Sequence, residues 1–187
     1  MMDRERRTLY IIFAIVVALI APIIVLFTPF TIGMIFYDHA DKIVFLPLPS
    51  SLAVYSSAFI AVAASLVAMY FIKKKGFKIA LSIFTIIAFL FLFVSGTKNY
   101  IYIDNEFIES SHWLKGKKQY AWDEIVQLDL TKKTNGRERE DHIIFTFSDQ
   151  YTLPILVDGL VDYKIERQIV NRVQQLNVSV NHIVVEE

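Results

Sequence analysis

Two hydrophobic patterns divide the chain. Up to Gly96 apolar residues come in long unbroken runs, and beyond it they alternate with polar ones over short stretches. The first run, Leu9 to Phe27, is nineteen residues without a charge. A helix needs about 20 apolar residues to cross the hydrocarbon core, so a first span is expected over residues 9–28. Pro22 lies inside it, and Pro29 and Gly33 are expected to end it. Arg4, Arg6 and Arg7 ahead of the run resemble the n-region of a signal peptide. Signal h-regions reach only about 7–15 residues and a small-x-small site follows them, so a retained anchor fits better.

Ser51–Ile72 and Ile79–Thr97 are two further uncharged runs and predict spans over 51–72 and 79–97. Lys73-Lys74-Lys75-Gly76-Phe77-Lys78 reads as a tight hairpin between them. In the second run Ala53, Ser57, Ala61 and Ser65 recur at helical spacing, with Ala64 and Ala68 beside them. Small side chains let helix backbones approach, so this face is expected to pack on another span. None of the three runs contains Asp, Glu, Lys, Arg or His. Ion paths, proton relays and voltage sensors need such groups at membrane depth, which disfavours a transporter or pump.

After Gly96 the period shortens. Tyr100–Ile103, the polar turn Asp104-Asn105 and Phe107-Ile108 predict a hairpin. Lys115-Gly116-Lys117-Lys118 reads as a loop before Gln119–Trp122. Ile125–Leu130, His142–Phe147 and Tyr151–Val157 are strand candidates, with Thr134-Asn135-Gly136 and Ser148-Asp149-Gln150 as turns. Pro154 marks the last as an edge strand or one that ends early. Val161, Ile165, Ile169, Val173 and Leu176 then adopt helical spacing and predict an amphipathic helix over about 160–176. Lys164, Arg167 and Arg172 fall on its polar faces, and Asp158 or Asp162 is its expected cap. The tail, Asn177–Glu187, alternates weakly enough to be either a strand or a frayed end.

The organisation expected is a transmembrane region over 1–97 and a small mostly-β domain over 98–187. The latter would be a small barrel or a curved antiparallel sheet closed by the C-terminal helix. The run Trp122-Asp123-Glu124-Ile125, the hairpin Tyr102–Ile108 before it and the closing helix together carry a resemblance. Over residues 98–177 they resemble the bacterial pleckstrin-homology-like (PH-like) domains found beside membrane spans. The resemblance implies no enzymatic activity and a cytoplasmic domain, and some members of that group resemble membrane-bound immunity proteins against bacteriocins.

Composition agrees with a membrane protein: 55% of residues are apolar and 20% charged, against about 45–50% and 25% for soluble domains. The absence of cysteine excludes a disulfide framework and thiolate chemistry. The zero formal charge is uneven, because residues 1–97 hold 8 Lys/Arg against 4 Asp/Glu and residues 98–187 hold 11 against 15. Near the spans, three arginines precede the first run and four lysines lie in the hairpin, whereas Lys42 and Lys98 stand alone. The positive-inside rule then places the N-terminus and hairpin in the cytoplasm and residues 98–187 outside the cell membrane. On this point the charges and the family resemblance disagree.

Candidate chemistry is sparse. His39, His112, His142 and His182 lack zinc-ligand spacing, so no metal or cofactor is expected. Ser110-Ser111-His112 and Asp141-His142 offer hydrolytic residue types without a nucleophile-elbow frame, and no enzyme is expected. Asn177-Val178-Ser179 is a glycosylation sequon, relevant only in a eukaryotic secretory setting. Two cationic groups remain as candidate headgroup or partner contacts. One is Lys115, Lys117 and Lys118; the other is Lys132, Lys133, Arg137 and Arg139, interleaved with Glu138, Glu140 and Asp141. Near anionic lipid each cation contributes about 1 kcal/mol. The net negative domain argues against nucleic acid. The function expected is non-enzymatic: a bilayer-embedded protein whose C-terminal domain binds a peptide, a protein partner or lipid headgroups, in immunity or envelope protection. A scaffold subunit of a membrane complex is the alternative.

Overall fold

The computed structural model describes residues 2–135 and 138–186, with side chains described for 8–132 and 141–184. Helices α1 (Met2–Phe36), α2 (Pro49–Phe71) and α3 (Lys75–Gly96) are each long and apolar enough to cross a membrane. The expected end of the first span at Pro29 or Gly33 is corrected, since α1 continues to Phe36. A proline removes one backbone donor, but leaving the helix in an apolar setting would strand several more. Around Pro29, Thr28 and Thr31 donate to the Ile24 and Phe27 carbonyls at 2.7 and 3.0 Å. The lysine hairpin is also shorter than expected, because Lys75 to Lys78 already form the first turn of α3.

The chain separates into two compact units. The helical unit comprises Met1–Asp38, Pro47–Tyr100 and His112–Lys115; the β unit comprises His39–Leu46, Ile101–Ser111 and Gly116–Glu187. Within the helical unit successive helices reverse direction. At one end the Lys78 ammonium lies 4.4 Å from the centre of the Tyr10 ring. At the other, the Tyr37 and Tyr100 rings are 4.8 Å apart and the Leu48 N–H donates to the Asn99 carbonyl.

α2 packs on both neighbours through Tyr55, Ala58, Ser65 and Met69. The expected small-residue face is only partly the packing face: Ser65 is buried, whereas Ala53, Ser57 and Ala64 are exposed. Aromatic contacts carry the α2–α3 seam instead, with Tyr55 on Phe93 at 5.2 Å and Phe59 edge-on to Phe89 at 5.4 Å. The Ser65 and Thr85 hydroxyls share a 2.6 Å hydrogen bond across it. Gly96 lets the buried Tyr55 ring reach the backbone, since a β-carbon there would stand 2.5 Å from the ring.

In the β unit the strands form two four-stranded sheets, not the closed barrel or single curved sheet expected. The first has the order β1 (Lys42–Pro47), β2 (Tyr100–Asp104), β3 (Phe107–His112), β4 (Gly116–Ala121). Asp104 makes the β2–β3 turn, its Oδ1 accepting from the Glu106 and Phe107 N–H groups at 2.7 Å. Gly116 completes the β3–β4 turn at φ +82°, a left-handed conformation that glycine adopts without a β-carbon penalty.

The second sheet has the order β7 (Thr152–Val157), β6 (Glu138–Phe147), β5 (Ile125–Asn135), β8 (Ser179–Glu186). Pro154 does lie on an edge strand. The tail forms a strand, but a parallel one on β5, reached through helix α4 (Tyr163–Gln175). The register sets Leu128 opposite Phe145, Leu130 opposite Ile143, and Phe145 opposite Leu153. All of these are buried, as are Val161, Ile169 and Val173, while Ile165 is half-buried. Trp122 opens a 3-10 turn (Trp122–Glu124), is buried, and meets Phe145 edge-on at 6.4 Å. Asp162 caps α4, its Oδ1 accepting from the Ile165 N–H at 2.9 Å.

Candidate functional site

The seven cations singled out in the sequence do not form one patch. Lys115 belongs to the helical unit, whereas Lys117 and Lys118 are residues of β4 in the β unit and not of a loop. Burying a carboxylate is costly unless a cation accompanies it. Lys117 supplies that cation, with its Nζ 2.6 Å from the buried Glu109. Lys118 donates to the Tyr120 hydroxyl and to Asp149 at 3.1 and 3.2 Å, and lies 4.1 Å from the Tyr151 ring centre. Tyr120 donates to the same Asp149 oxygen at 2.8 Å. The Tyr151 N–H and the Tyr120 hydroxyl hold the Asp149 carboxyl below its ordinary pKa. Hydrogen bonds to Tyr120 and Asp149 push the Lys118 ammonium above its own. Both lysines therefore serve the fold.

The second group also lies in strands and not in an open loop. Lys132 pairs in register with Asp141 and Lys133 with Glu140, so two of the three interleaved acids are cross-strand neighbours of bases, while Glu138 stands opposite Asn135. Lys132 is exposed. The side chains of Lys133 and Arg139, and all of Arg137, lie outside the described residues. Asp141 and His142 occupy successive positions of β6, and Ser111 and His112 of β3, so each pair faces opposite sides of its strand. No group of three or more potential metal ligands gathers among the described residues.

A concave site lies elsewhere in the β unit. A groove of about 530 Å³ runs along the polar side of α4 and meets the β2–β3 turn. Lys164, Arg167 and Arg172 line it with the amides of Asn105, Gln168 and Asn171, and no carboxylate among the described residues lines it. Arg172 is fixed there. Its Nη2 donates to the Asn105 carbonyl at 2.6 Å, and its guanidinium lies 5.8 Å from the Trp122 ring. Trp122 in turn donates through Nε1 to the Asp104 carbonyl at 2.9 Å. The Asn105 N–H donates to the Asp41 carbonyl just before β1. One of the five guanidinium N–H donors is thus committed to the fold, which pre-orients the rest of the group without neutralising it.

This groove was missed by sequence reasoning because each part had a local explanation. Arg172 read as an ordinary polar-face residue and Asp104-Asn105 as a turn. The signal that could have found it is the absence of acid among Lys164, Arg167, Gln168, Asn171 and Arg172, in a region richer in acids than bases. No protein family, curated protein or solved structure matches the chain.

Proposed function

We propose that the protein is a multi-pass, non-enzymatic cell-membrane protein whose β unit binds an acidic segment of a peptide or partner protein, in immunity or envelope protection. The α4 groove carries this reading. It combines a concave shape, three cations without a lining carboxylate, and a guanidinium already held in place. Charge-assisted hydrogen bonds to carboxylates are roughly twice as strong as neutral ones, and arginine forms them in pairs. Lipid headgroups remain a role for Lys115 and Lys132 more than for Lys117 or Lys118, whose charges have internal partners. The PH-like reading stays part of the proposal. The Trp122 motif and the helix after the strands support it, while β1 and β8 lie outside the residues that carry the resemblance.

The orientation proposed places the β unit outside the cytoplasm. Seven of the nine cations flanking the helices belong to the N-terminus and the lysine hairpin. The contact between Lys78 and Tyr10 supports a common side for both. β1 precedes α2 and β2 follows α3, yet they share a sheet. That pairing supports α2 and α3 crossing as a pair.

The groove is tested with the full chain in lipid nanodiscs and a fluorescent hexaglutamate peptide. Binding should be salt-sensitive and lost when Lys164→Glu is combined with Arg167→Glu. Equal binding by the double variant refutes the groove. For orientation, the cysteine-free chain accepts single reporters at Gly76 and Gly159, where an added side chain meets nothing within 4 Å. A membrane-impermeant maleimide on intact cells should label Gly159→Cys and spare Gly76→Cys; the reverse pattern inverts the topology. The scaffold reading draws on the exposed Ala53, Ser57 and Ala64 of α2, and a stoichiometric membrane partner retained in detergent would favour it.

A further inference from the structure

The turn between β3 and β4 is unlike the other turns of the β unit. Its residues, Trp113, Leu114 and Lys115, are grouped with the helical unit together with His112 at the end of β3, although β4 and the rest of β3 are not. The Trp113 N–H donates to the Asn99 Oδ1 at 3.2 Å, and the Asn99 Nδ2 donates to the Ser95 carbonyl in the last turn of α3 at 3.2 Å. Asn99 is itself buried, and its backbone bonds to Gly96 and Leu48. The turn is therefore fastened to the end of a helix that is long and apolar enough to span. It is closed by the Lys115 N–H on the His112 carbonyl at 3.1 Å and by the left-handed Gly116.

What the turn presents is apolar and then cationic. Trp113 is 39% exposed and Leu114 75% exposed, and Lys115 follows them, also exposed. In a turn facing water, two large apolar side chains at the tip gain nothing. At the end of a span the same order has a physical use. Tryptophan favours the headgroup level, where its ring is part-buried and its indole N–H stays wet, and a lysine there meets phosphate. Tyr37 and Tyr100, in tilted ring contact at the same end of the helices, and Lys98 just beyond α3 are of the types found at that depth.

We infer that the Trp113-Leu114-Lys115 turn is a membrane-interface anchor. The Trp113 and Leu114 side chains enter the boundary between headgroups and acyl chains, and Lys115 pairs with lipid phosphate. This rests on the proposal that α3 crosses the bilayer, and it gives Lys115 a role separate from Lys117 and Lys118.

The experiment uses the full chain in phosphatidylcholine vesicles whose acyl chains are brominated near the headgroup. Trp113 and Trp122 are the only tryptophans, and Trp122 is buried. Wild-type emission should be quenched by the brominated lipid, and Trp113→Phe should remove that quenching. Leu114→Asp should shift the remaining Trp113 emission to longer wavelength and open it to aqueous acrylamide. A separate variant, Leu90→Trp in the Trp113→Phe background, reports the span itself, since Leu90 is an exposed side chain of α3. It should be quenched by lipid brominated deep in the chain. Quenching of Leu90→Trp without quenching of Trp113 overturns the anchor and leaves the span intact. Loss of both overturns the span, and the anchor with it.

Discussion

Asn177 stands at φ 58°, in the left-handed region, directly after α4. Its N–H bonds to the Gln174 carbonyl and the Val178 N–H to the Val173 carbonyl, the paired bonds that close a Schellman helix end. Asparagine tolerates this conformation better than most residues, and glycine better still. Asn177→Gly should therefore keep or raise the melting temperature. Asn177→Val should cost about 1–2 kcal/mol in denaturant unfolding, through β-carbon crowding. Asp149 makes a prediction about pH. Its folded pKa is depressed, so its contribution is present above the ordinary aspartate value and is lost as pH falls through the folded one. On acidification through the carboxylate range, wild type should lose more melting temperature than Asp149→Asn does. Parallel pH curves for the two would contradict the Tyr120–Lys118–Asp149 cluster.

Among the elements, legibility followed locality. The three long helices could be read because a charge-free run of that length has few other uses, and α4 because its apolar residues keep one period. The Asp162 cap and the Pro154 edge were also readable, each depending on a single residue's chemistry. β1 and β8 were not, because what makes them strands is a distant partner: β1 joins β2 across two helices, and β8 lies parallel on β5. The β4 lysines were misread as a loop because their partners, Glu109 and Asp149, are remote in sequence. The groove is a property of α4 and the Asp104-Asn105 turn together, visible only once Arg172 meets the Asn105 carbonyl. The faces of α4 can be ranked by substitution. Ile169→Asp puts a carboxylate where Ile169 is fully buried and should cost more than about 4 kcal/mol. Arg172→Asp, which a sequence reading treats as nearly silent, should cost about 1.5–3 kcal/mol by losing a charged hydrogen bond. The exposed Gln174→Asp should be silent. Equal unfolding midpoints for the Arg172 and Gln174 variants would remove the argument for a fixed guanidinium.

At the scale of the whole molecule, the two units are interleaved along the chain and not placed end to end. The backbone passes between them after Asp38, Leu46, Tyr100, Ser111 and Lys115. A fragment of residues 98–187 therefore omits β1 and bares the β2 edge of the first sheet. Expressed alone, it should unfold at lower denaturant than the same fragment carrying residues 39–47 through a flexible linker. Identical midpoints would show β1 to be dispensable. The position of β1 also sets an order of events during synthesis. A ribosome delivers Lys42–Pro47 more than fifty residues before Tyr100, the first residue of its partner strand. On the proposed topology, α2 and α3 cross the bilayer in that interval and return the chain to the side where β1 waits. On that topology the pairing of β1 with β2 forms only after both helices have crossed. On that topology, a chain whose third helix fails to cross leaves β1 and β2 on opposite sides of the bilayer, β1 without its strand partner and β2 paired with β3 alone.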